Sequence, residues 1–68
     1  MNFTIESEQE EDGRWIAEVT GLPGVLCYGA TEDLACAKAE ALALRVVAER
    51  LDAAEAKPFS FSIAMACA

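Results

Sequence analysis

A chain of 68 residues with 54% hydrophobic content and a net charge of −7 has room for one small domain. Its acidic balance lacks the basic stripe that nucleic-acid binding needs to displace counterions from phosphates. A domain of this size buries only about 60% of the surface its unfolded chain exposes, so association with another chain is a common source of added stability. The high apolar content points the same way, although much of it is alanine.

The acidic balance has two physical readings: solubility alone, or long-range attraction of a basic partner. No apolar run reaches the roughly 20 residues that span a bilayer. With no histidine and no Cys-x-x-Cys pair, a zinc site lacks its usual ligands, and no cofactor motif is present. Cys27, Cys36 and Cys67 are odd in number and irregularly spaced, and no secretory segment precedes them. They read as buried free thiols in a reducing, cytoplasmic setting.

In chain order, "NFTIESE" alternates, with Phe3, Ile5 and Ser7 on one side and Thr4, Glu6 and Glu8 on the other, as in a half-buried strand. Asp12-Gly13 within "QEEDGR" is a hairpin signal, because glycine tolerates positive φ. "RWIAEVT" is the returning strand, with Trp15, Ala17 and Val19 on one face and Ile16, Glu18 and Thr20 on the other. Gly21-Leu22-Pro23-Gly24 then makes a turn, and "VLCYG" is a third short strand completing an antiparallel meander. The turn reads first as a device that sets register, with Pro23 fixing φ and the glycines supplying unusual backbone conformations. Contact with a partner is its second reading.

Thr31 is an N-cap candidate, followed by Glu32 and Asp33 where the helix dipole favours negative charge. From Leu34 to about Ala54 the sequence is rich in Ala, Leu, Glu, Arg and Lys without Gly or Pro, which predicts a helix. "AKP" ends it. "FSFSIAMA" alternates again and predicts a fourth strand. At about 100° per residue, Leu44, Val47, Ala48 and Leu51 join Ala37 and Ala41 on one face, while Ala35, Ala39, Leu42 and Val46 lie nearly opposite. A helix on a sheet needs one apolar face, so the other is either a contact surface or a row of exposed alanines. The expected architecture is α+β, two-layer βββαβ, with one helix on a four-stranded sheet in a single domain over residues 1–68.

The stretch "EEDGRWIAEVTGLPGVLCYGATEDLACAKAEAL" resembles the HicB-like family, which also contains small stand-alone bacterial proteins. The resemblance rests on Asp12-Gly13, Trp15-Ile16-Ala17-Glu18, Leu22-Pro23-Gly24-Val25, Gly29, Thr31, Ala35, Ala39 and Glu40-Ala41-Leu42, and it extends over about Phe3 to Ala48. It implies a partial ribonuclease-H-like fold with the last strand parallel to the first. It also implies that Ala35, Ala39, Leu42 and Val46 face the sheet, leaving Leu44, Val47 and Leu51 outward, the reverse of what the residue pattern alone would pick. Together with Ile63 and Met65 from the apolar C-terminal stretch, those three are the expected oligomer interface.

The family's typical activity is to neutralise HicA, a small basic ribonuclease, by covering its catalytic surface. The resemblance therefore implies a non-enzymatic, cytoplasmic antitoxin. Its expected partner-binding residues are Glu8, Glu10, Glu11 and Asp12 in the hairpin and Glu32 and Asp33 at the helix start. A nuclease would need carboxylates converging on two metal ions, and the last strand supplies none. Many family members continue into a C-terminal DNA-binding segment, whereas this sequence stops at Ala68, so direct operator binding is not expected. The alternative function is a stand-alone HicB-like module, a homo-oligomer (dimer or tetramer) with another partner or none.

Overall fold

The computed structural model describes residues 2–53 together with the backbone of 62–65. Its frame is a small α+β fold in which one helix lies on a three-stranded antiparallel sheet. The strands are β1 (Asn2–Gln9), β2 (Trp15–Thr20) and β3 (Leu26–Gly29), and the helix is α1 (Glu32–Ala53). A short strand, β4 (Ser62–Met65), runs parallel beside β1, opposing Phe3 to Ile63 and Ile5 to Met65, and gives the order β3-β2-β1-β4. Ser60 and Cys67, and the side chains of Ile63 and Met65, lie outside the described residues.

Alternation decides which way each strand faces. Phe3 and Ile5 on β1 and Ala17 and Val19 on β2 point under the helix and are buried, while Thr4, Glu6, Glu8 and Glu18 are exposed on the far side. The β1–β2 register opposes Ile5 to Val19 and Ser7 to Ala17, so the buried side chains form adjacent rows. The hairpin between them is tighter than a loose acidic loop. Gly13 N–H donates to the Glu10 carbonyl at 3.0 Å, and Glu10 N–H donates to the Arg14 carbonyl at 2.7 Å. Gly13 has φ +91°, which is why a glycine closes this turn.

The Gly21-Leu22-Pro23-Gly24 turn also builds the core. Leu22 and Val25 are buried at 2% and 4% exposure. Leu22 is held there by bonds from its own N–H to the Val19 carbonyl and from Val25 N–H to the Leu22 carbonyl. Gly21 and Gly24 take φ +91° and +82°, reversing the chain on either side of the buried leucine.

The helix begins where its cap predicts. The Thr31 hydroxyl accepts from Leu34 N–H at 3.2 Å, and the Thr31 carbonyl accepts from Ala35 N–H at 3.0 Å. The buried face comprises Ala35, Cys36, Ala39, Ala43 and Val47. Ala35 and Ala39 therefore face inward as expected, and Leu42 and Val46 flank the core half-buried. The expectation fails at Val47, which is 2% exposed and belongs to the core rather than to an outer interface. Leu51 is likewise half-buried against the core, and only Leu44 of the helix trio points outward, at 46% exposure. The reason is angular: at about 100° per residue each i, i+4 step turns about 40°, so 35, 39, 43 and 47 fan over about 120°. A buried face centred between Ala39 and Ala43, with Cys36 inside it, takes Ala35 at one margin and Val47 at the other.

Small residues on that row let the two layers approach closely. A Cβ placed on Gly29 would lie 2.5 Å from the Ala35 nitrogen and 3.0 Å from its Cα. The obstruction is helix backbone, which has no rotamer through which to yield. Gly29→Ala is therefore expected to cost about 1–3 kcal/mol, the range for overpacking a tight interior. The exposed Gly24→Ala, with open space around it, carries only the backbone penalty of about 1–2 kcal/mol for a left-handed residue. Urea unfolding of both variants measures the difference, and a Gly29→Ala protein as stable as the parent would contradict the close approach.

Candidate functional site

The sheet has one face closed by the helix and one face open, and the open face is acidic. Register places Glu6 directly opposite Glu18, and Glu8 opposite Ile16. Together with Glu10, these residues line an open groove of about 340 Å³ whose other walls are Ser7 and Ile16. Among the described residues, four carboxylates and no cation border it. Like charges directly opposite across a strand pair are destabilising, so the Glu6–Glu18 pair is a cost to folding that serves no packing purpose.

The expected binding residues divide between three places. Glu8 and Glu10 belong to this groove. Glu11 and Asp12 sit at the hairpin tip, bordering a second open surface with Glu8, Gln9, Glu10 and Arg14. Asp12 is committed within the turn: its carboxylate accepts from Arg14 N–H at 3.1 Å and from Arg14 Nε at 2.8 Å. The Arg14 backbone N–H, aided by the guanidinium, holds the Asp12 carboxyl below its ordinary value. Arg14 also lies over the Tyr28 ring, 4.6 Å from its centroid, which ties the hairpin to the open face of β3.

Glu32 and Asp33 are on the other layer, in the first turn of α1. Ser7 Oγ donates to Glu32 Oε2 at 2.7 Å, fastening the helix start to β1 on the helix side of the sheet. Glu32 is therefore engaged within the protein, and Asp33 is exposed beside it. The six expected acids do not form one patch. Glu6 and Glu18, which the strand alternation sets opposite the core-facing residues but which are not among the expected binding residues, complete the patch that does form. The signal was the β1–β2 alternation, which puts Glu6, Glu8 and Glu18 on one side; only the hairpin's register brings Glu6 and Glu18 face to face.

Among the described residues, no group of three or more His, Cys, Asp or Glu side chains is arranged to hold a metal ion, and no helix is long and apolar enough to cross a membrane. Neither does any family model, curated protein or solved structure match the chain.

The cysteines differ from the expectation of free thiols. Cys27 is free and half-buried, but Cys36 is fully buried and disulfide-bonded. Reading an odd, irregular set of cysteines as reduced overlooked that two of three can still pair. Thiol–disulfide exchange and alkylation both require access to a sulfur, and burial of Cys36 closes its own sulfur to reagents in solution. Treatment of the folded protein with iodoacetamide is expected to label Cys27 without labelling Cys36, and mild dithiothreitol should leave that pattern unchanged until denaturant is added. Peptide mass spectrometry reads the outcome; alkylation of Cys36 in the folded, unreduced protein would contradict it.

Proposed function

We propose that this protein is a non-enzymatic, antitoxin-like binding protein that covers a small basic ribonuclease of the HicA type. The observation that carries the reading is the open sheet face, where Glu6 and Glu18 oppose one another and Glu8 and Glu10 extend the negative surface. An acidic face steers a basic protein toward it and favours it on contact. A basic partner would also neutralise the Glu6–Glu18 repulsion, so carboxylates that destabilise the free protein would stabilise the complex.

The finer fold is part of the same proposal: a single βββαβ domain over residues 1–68, partial ribonuclease-H-like, with its last strand beside the first. The parallel register of Ser62–Met65 with β1 supports it, as do the buried alanine row and the Leu-Pro-Gly-Val turn on which the HicB-like resemblance rests. Catalysis is assigned to the partner, because the carboxylates on the open face lie in a row along one hairpin rather than around a shared centre. The cytoplasm, where such a partner would act on RNA, is the proposed location; it rests on that partner alone, because the disulfide of Cys36 removes the support that free thiols would have given it.

The second reading is a stand-alone HicB-like homo-oligomer. It is favoured by the exposed apolar side chains Leu26, Tyr28, Leu34 and Leu44, which a chain of this size gains by covering.

An affinity pull-down from the native host, washed at rising salt, separates the two. Recovery of one small basic protein, lost as salt screens the contact and inhibited as a ribonuclease when this chain is added back, is the expected result. Recovery of this chain alone as a salt-resistant oligomer would overturn the antitoxin reading and leave the module.

A further inference from the structure

The described sheet ends at β3, whose outer edge has no neighbouring strand. An edge strand offers a row of unpaired N–H and C=O groups, and proteins that keep such edges free usually block them with charge, proline or a bulge. Leu26–Gly29 carries none of these. The whole stretch from Thr20 to Thr31 lacks a charged residue, in a chain with 17 of them among 68 (Lys+Arg 5 and Asp+Glu 12).

Exposed apolar side chains gather at the same edge. Leu26 and Tyr28 are 39% and 41% exposed on the open face, opposite Glu18 and Ile16 of β2. Leu34, 50% exposed, begins the helix where it packs over Gly29. Among the described residues, Leu44 is the one exposed large apolar side chain that lies elsewhere.

We propose that the β3 edge joins a second copy of this chain, strand to antiparallel strand, to form a continuous sheet across a two-fold axis. This deepens the oligomeric reading above by naming the surface. Charge selects a second copy as the occupant. Two chains of net charge −7 meet with least repulsion where few acids stand, and this edge is such a place: Leu26–Gly29 is uncharged, and the charges bordering it are Glu18 opposite Leu26 and the cation Arg14 over the Tyr28 ring. With strands about 4.8 Å apart, the acids on β1 of the two copies would lie about five strand spacings, roughly 24 Å, from one another. That exceeds the Debye length of about 8 Å at physiological salt.

Antiparallel pairing about a two-fold is self-complementary by construction. If the helices of both copies share one side of the sheet, opposed residues must match in facing. Pairing centred on Cys27 does so, setting Leu26 of each copy against Tyr28 of the other, an aliphatic–aromatic cross-strand pair. The acidic grooves would then flank a central apolar band on one extended face.

The test is sedimentation velocity of the parent protein, Leu26→Lys and Leu44→Lys, each checked for native far-UV circular dichroism. The expected result is a dimer for the parent and for Leu44→Lys, and a monomer for Leu26→Lys. A second measurement uses the parent alone: amide hydrogen exchange across 26–29 should slow as protein concentration rises. A monomeric parent at every concentration would overturn both this proposal and the oligomeric reading. A dimer dissociated by Leu44→Lys but not by Leu26→Lys, or exchange across 26–29 that ignores concentration, would overturn the edge pairing while leaving the oligomer.

Discussion

The structure depends on how closely the helix start approaches the end of β3. Gly29 has no room for a Cβ because the backbone of Ala35 occupies that space. Ala35, Ala39, Ala43 and Val47 continue the buried face of the helix along the sheet. Small side chains bring little transfer free energy each. What they permit is a short distance between layers, so that Ile5, Val19, Leu22 and Phe3 meet the helix directly. Thr31 caps the helix and Ser7 binds Glu32, which fixes the same end in both direction and position.

That arrangement commits one sheet face wholly to the interior and leaves the other without a structural task. The open face divides by strand. On β1 and the facing part of β2 it carries Glu6, Glu8 and Glu18; toward β3 it carries Ile16, Tyr28 and Leu26. Acidic and apolar surfaces side by side serve two kinds of contact. The acidic part suits a basic protein, and the apolar edge suits a surface that is neutral. A dimer through β3 would leave both acidic grooves free, so the two contacts are compatible and a partner would meet two equivalent sites.

Much of this was legible in the amino-acid sequence, because it follows from local pattern. The period-two runs located β1, β2 and β3 within a residue of their observed limits, and Thr31 marked the helix start. The helix faces were harder. Alanine's weak preference for inside or outside gave two nearly opposite apolar faces, and the residue pattern alone favoured turning the bulkier Leu44, Val47 and Leu51 face inward. The family resemblance chose Ala35 and Ala39 correctly but sent Val47 outward, since a bulky residue was taken to mark the outer side. Leu22 shows a different limit: between two glycines and a proline it reads as turn, and only the turn's hydrogen bonds reveal that it reaches the core. The acids of the open face were legible as residues but not as a set. Pairing Glu6 with Glu18 needs the hairpin register, and the withdrawal of Glu32 and Asp12 into internal bonds needs the positions of Ser7 and Arg14.

The most direct test of the central claim, that the open sheet face is the binding face, is an NMR titration of the isotopically labelled protein with a lysine-rich peptide at low salt. The account predicts shifts concentrated at Glu6, Glu8, Glu10 and Glu18 and their immediate neighbours, fading as salt is added, with the amides around Asp33 and along the helix undisturbed. Shifts centred on the helix start, or spread evenly over every exposed carboxylate, would contradict it.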